Sequence, residues 1–110
     1  MATRATYRFN TGHTAYHHWD GYPEGAAQLL SNALIEGGDL TIQAFLDANE
    51  KAEETESHHI HGDTEYRYNV IRNNKGEWRI KALKRIDFSD KWRIEFYGLA
   101  TDFFKQYGAL

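Results

Sequence analysis

The segment His18-Trp19-Asp20-Gly21-Tyr22-Pro23-Glu24-Gly25 places an imidazole, two carboxylates and a phenol within eight residues. On alternate positions of a strand, His18 and Asp20 share a face, which is the arrangement a general base requires. A helix opening at Pro23 adds free backbone N–H groups and the positive end of its dipole, a seat for an anion. Arg4, packed beside this turn, would contribute a bidentate grip on a phosphate or carboxylate. The candidate site is therefore a pocket for a small anionic ligand, or a partner contact, lined by Arg4, His18, Asp20 and Tyr22. A backbone account competes with it and is the preferred one. Asp20 would shape the turn and pair with Arg4, while Tyr22 and Pro23 pin a hairpin onto the helix, because turns use Asp, Gly and Pro for conformational reasons.

The chain has six histidines and no cysteine. Disulfides, thiol catalysis and cysteine-based zinc sites are thereby excluded. His58 and His61 fall at i, i+3 on a helix, and His59 and His61 at i, i+2 on a strand. Asp63 and His17 would have to complete any metal shell. That spacing matches no established zinc motif, so neither a metal nor another cofactor is expected. No serine elbow, phosphate-binding glycine loop or paired-carboxylate motif occurs, and the reading leans away from an enzyme.

The formal charge of −3 disfavours nucleic acid as a direct partner. Charge is nevertheless uneven. Asp47, Glu50, Glu53, Glu54 and Glu56 form an acidic stretch, and Arg79, Lys81, Lys84 and Arg85 a basic one. Solvated faces account for both. The functional versions are an acidic surface imitating nucleic acid toward a basic protein, or a basic strip touching phosphate. Trp78, Trp92 and Tyr97 could stack bases, although core packing is the expected use of such rings. No apolar leader or membrane-length run occurs, and a cytoplasmic location is the economical expectation.

The positioning elements follow from periodicity. Residues 5–10 and 14–19 read as two strands around an Asn10-Thr11-Gly12-His13 turn. Ala26, Leu29, Leu30, Ala33 and Leu34 form one face of a helix from Pro23 to Gly37-Gly38. A second helix, capped by Thr41, buries Ile42, Phe45 and Leu46 and carries the acidic stretch on its solvated side. Strands follow around Tyr66 to Val70, Trp78 to Ala82 and Lys91 to Tyr97. In the last of these, Trp92, Ile94 and Phe96 share a face opposite Lys91, Arg93 and Glu95. A short helix capped by Thr101 ends the chain. The expectation is one compact α+β domain over residues 1–110, ordered ββααβββα. Its antiparallel sheet would have about five strands, with helices on one face.

Two stretches resemble a known group of proteins. Ala2-Thr3-Arg4, then Tyr16, then Trp19-Asp20-Gly21-Tyr22-Pro23-Glu24-Gly25 are similar to an uncharacterised family of small phage, plasmid and prokaryotic proteins. Its members open on Gly/Ala-Thr-Arg and carry a Trp/Tyr-Asp-Gly-Tyr-Pro-x-Gly core. The run from Trp92 to Gly98 and the helix start near Thr101-Asp102-Phe103 are also similar. This chain departs from the pattern at Ala26-Ala27, where members commonly have another glycine, and at His17 or His18, where they often have Gln or Arg. Small size, an aromatic-rich single domain, segregated charge and the lack of a catalytic motif point to a non-enzymatic binding protein acting by protein–protein contact on a host protein. The resemblance adds the implication of a mobile-element role in countering host defence. Inhibition of a host defence nuclease or complex, CRISPR included, is its sharpest form. Nothing in the sequence sets the oligomeric state.

Overall fold

Period-two burial marks the strands at the centre of one sheet, and the ends of the chain pair onto them. In a computed structural model, residues 3–58, 64–86, 89 and 91–109 are described. The strands are β1 (Ala5–Arg8), β2 (Thr14–His17), β3 (Glu53–Thr55), β4 (Tyr66–Arg72), β5 (Trp78–Arg85) and β6 (Trp92–Leu99). The helices are α1 (Pro23–Gly37), α2 (Ile42–Ala48) and α3 (Ala100–Gln106). The sheet runs β3-β2-β1-β4-β5-β6.

Ala5, Tyr7, Tyr68, Val70, Ile80 and Ala82 are buried from the sheet, facing Ala26, Leu30, Ala33, Phe45, Phe103 and Phe104 of the helices. Tyr7 and Tyr68 stack at 5.1 Å across the centre of the sheet. Phe45 closes on Tyr7 at 4.7 Å, and Phe103 meets Tyr68 edge-on at 6.1 Å. A small core thus gains its area from rings. α1 ends where expected, at Gly38, whose N–H bonds to the Leu34 carbonyl. Thr41 caps α2 by accepting a hydrogen bond from the Ala44 N–H.

Four expectations are corrected. The acidic stretch is not a helix face, because α2 stops at Ala48. Asn49 closes it, its buried amide donating to the carbonyls of Phe45 and Leu29. Glu53 and Glu54 then pair with β2 as a short edge strand, Glu50 lies in the turn before it and Glu56 just beyond it. A free edge on β2 outweighs the helical propensity of this tract, and charged residues there discourage pairing with other chains. The sheet accordingly has six strands. Second, it is mixed: β1 and β4 run parallel, Ala5 opposite Tyr66 and Tyr7 opposite Tyr68. β2, two helices and β3 intervene, a connection long enough for a parallel crossover. Third, Phe96 does not share a face with Trp92 and Ile94. Ala82 pairs with Phe96 but Leu83 with Ile94, so Glu95 is bulged and the alternation reverses. Fourth, Leu99 and not Thr101 precedes α3, which begins at Ala100 as β6 ends.

The Tyr7 hydroxyl is fully buried and lacks a hydrogen-bond partner among the described residues. Burial, reinforced by Asp20, pushes its ionisation well above the ordinary value of 10.0. A raised folded-state value means that the folded chain holds a proton the unfolded chain releases, so this stability is lost as pH rises past about 10. Tyr7→Phe removes an unsatisfied polar atom while keeping the ring. It is expected to leave stability unchanged or raise it by up to about 1 kcal/mol, and to weaken the loss above pH 10. Denaturant melts at pH 7 and pH 10.5 check both, and a loss above about 1 kcal/mol at neutral pH would contradict them.

Candidate functional site

The residues expected to form one pocket form two bonded pairs. Arg4 Nε donates to His18 Nδ1 at 3.2 Å, and the Tyr16 hydroxyl lies 3.2 Å from the same nitrogen. Trp19 packs edge-on against the His18 ring. In the second pair the Tyr22 hydroxyl donates to Asp20 Oδ1 at 3.1 Å. That hydrogen bond, and then the carboxylate's charge, raise the Tyr22 ionisation above its ordinary value. Asp20 lines two shallow grooves. One, of about 470 Å³, is bounded by His17, Trp19, Leu29, Asn49 and Lys51. The other, about 280 Å³, runs past Tyr22, Glu24 and Gln28.

Backbone demands explain most of the segment. Asp20 takes φ 55°, a left-handed conformation that aspartate tolerates better than most side chains. Gly21 is buried against β1, its N–H bonded to the Thr3 carbonyl and its own carbonyl accepting from the Tyr68 hydroxyl at 2.6 Å. A Cβ on Gly21 would lie 2.7 Å from the Thr3 oxygen, and one on Gly25 would lie 2.0 Å from the Asp20 oxygen. Tyr22 is extended ahead of Pro23, which opens α1. The segment locks α1 to the start of β1. Asp20 and Glu24 also put two carboxylates at the α1 N-terminus, which opposes an anion there.

The described histidines have protein partners. His17 Nδ1 donates to the Trp19 carbonyl at 2.5 Å. His58 meets Thr6 Oγ1 at 2.6 Å and Asn69 Oδ1 at 2.9 Å, pinning the link after β3 across the side of the sheet away from the helices. His59, His61 and Asp63 lie outside the described residues. Among the described residues no three metal-ligating side chains converge.

Most of the basic stretch and two of the rings read from the sequence, Trp92 and Tyr97, meet on the sheet face turned away from the helices. Arg8, Asn69, Lys81 and Tyr97 follow one another across β1, β4, β5 and β6 as direct register partners. Ile71, Arg79, Leu83, Arg85, Trp92 and Ile94 share that side. Lys84 does not, because it lies opposite Tyr66 and faces the helical layer. Trp92 is flanked by the guanidinium groups of Arg67 at 4.1 Å and Arg85 at 4.9 Å. Tyr97 and Ile94 are 60% and 58% exposed, high values for large apolar groups in the middle of a strand. Neither β4 nor β5 contains an acidic residue. That absence was the legible signal, obscured by the negative charge of the whole chain. Among the described residues no helix is long and apolar enough to cross a membrane. Comparison with protein-family models, curated proteins and solved structures gives no match for this chain.

Proposed function

We propose that this protein is a non-enzymatic binding domain that acts by contact with a macromolecular partner through the outer face of β4, β5 and β6. The exposure of Ile94 and Tyr97 on that face carries the reading. Large apolar groups ringed by Arg79, Lys81 and Arg85 have the make-up of an interface, an apolar and aromatic centre within a polar rim. A strand face built only for water would carry polar side chains at both positions. The narrower form draws on the mobile-element resemblance of the segment from Trp19 to Gly25. There the partner is a host defence nuclease or complex, inhibited by contact. The alternative, a small anionic ligand at the Asp-Gly-Tyr-Pro turn, is opposed by the two carboxylates in place there.

Site-specific photo-crosslinking tests the surface. A photoreactive residue at position 94 or 97 is expected to yield partner adducts in the producing cell. The same residue at Ile35, which is 70% exposed on the helical side, is expected to yield none. Adducts confined to position 35, or none at 94 and 97, would refute the reading.

A further inference from the structure

We infer that the partner held by this face is a single-stranded nucleic acid, whether free or carried in a nucleoprotein complex. The inference rests on the proposed binding face and gives it a chemistry. A groove of about 370 Å³ runs over β1, β4 and β5 between Arg8, Asn10, Asn69, Ile71 and Lys81. Arg8 and Lys81 stand two strands apart, roughly 10 Å at the backbone, so their long side chains can converge on one phosphate. Neither is ion-paired among the described residues, nor is Arg79 on the same face. Asn69 uses its Oδ1 on His58, which leaves its amide N–H groups as donors beside that phosphate.

Beyond Lys81 the row ends on Tyr97, its direct cross-strand partner and the most exposed large aromatic side chain among the described residues. A phosphate over the groove and an unstacked base on Tyr97 follow the pattern of sheet-face recognition of single strands, in which cations track the backbone and rings stack bases. A duplex keeps its bases stacked on one another and cannot use Tyr97. The bulge at Glu95 contributes to the charge pattern. Burial first, and then that carboxylate, raise the ionisation of Tyr66 and Tyr107, which belong to the helical side, so Glu95 acts away from the cationic row. The excess acid of the whole chain lies on α1, on α2 and its following turn, and along β3, so net charge does not describe this face.

Fluorescence anisotropy with labelled oligo-dT and oligo-U of about a dozen nucleotides tests the inference, with a duplex of equal length as control. Binding is expected below roughly 100 μM at low salt, weakening as salt rises. Tyr97→Ala is expected to weaken single-strand binding about tenfold and Tyr97→Phe to preserve it. Lys81→Gln is expected to weaken binding severalfold and lower the salt slope by about one. Both sites reach solvent, and unchanged melting of each variant confirms an intact fold. No binding at roughly 100 μM overturns the inference, as does equal binding of duplex or indifference to both Tyr97→Ala and Lys81→Gln. Nuclease-resistant protein adducts at positions 94 and 97 alongside failed oligonucleotide binding would retain the face and remove the nucleic acid. Absent adducts would remove the face itself.

Discussion

Gly25→Ala is expected to destabilise the protein by about 3 kcal/mol or more and lower its melting temperature by more than about 10 °C. The added methyl would lie 2.0 Å from the Asp20 carbonyl oxygen and 2.7 Å from its Cβ. The crowded atoms belong to backbone already held by its neighbours. Gly21 is tied to Thr3 on one side and Tyr68 on the other, so the Asp20 peptide cannot retreat without breaking buried hydrogen bonds. Relief would require α1 to lift from the sheet. Gly38→Ala is the matched control, since its Cβ meets nothing within 4 Å and only its φ of 73° is unfavourable. A cost of about 1 kcal/mol is expected there. Thermal and denaturant melts of the two variants decide the matter. A Gly25→Ala variant within about 1 kcal/mol of wild type would show that the α1–β1 lock is loose.

Tyr68 is the second position where a large effect is expected. Its ring stacks on Tyr7 and Tyr66 and meets Phe103 edge-on, and its hydroxyl holds the Gly21 carbonyl. Tyr68→Ala removes a fully buried ring and is expected to cost about 4 kcal/mol. Tyr68→Phe keeps the ring but strands the Gly21 carbonyl, with an expected cost of about 1–3 kcal/mol. The contrast with Tyr7→Phe is the informative part. Two stacked tyrosines in one core should respond differently to the same chemical change, because among the described residues only one hydroxyl has a partner. Denaturant melts of the three variants read it directly. Equal losses for Tyr7→Phe and Tyr68→Phe would indicate that the Tyr7 hydroxyl also has a partner.

Features set by neighbours in sequence were legible from sequence. Pro23 opens α1, Gly38 closes it, Thr41 caps α2, and Tyr7, Tyr68 and Phe45 reach the core. Each follows from a local conformational preference or from periodicity. Features set by distant partners were not. Glu53 and Glu54 have helical propensity, and only the vacant edge of β2 makes them a strand. The bulge at Glu95 leaves no composition signal, yet it decides which of Trp92, Ile94 and Phe96 reaches the core. At the candidate site, the sequence placed Arg4, His18, Asp20 and Tyr22 close together but could not show that they divide into two pairs. The row from Arg8 to Tyr97 draws one residue from each of four strands, so no single stretch of sequence displays it.

The parallel contact between β1 and β4 also bears on how the chain reaches this structure. Every other adjacent pair of strands lies within one half of the chain, joined by a turn, a short loop or the two helices between β2 and β3. The two halves share the sheet at one ladder only, and its partners, Ala5 with Tyr66 through Arg8 with Asn69, are about sixty residues apart. Local hairpins form quickly, whereas a pairing of such separation bears the full entropy of closing the intervening chain. That ladder is therefore the expected kinetic bottleneck of folding. Until it closes, the stack of Tyr7 on Tyr68 and the cationic row that crosses the same seam do not exist.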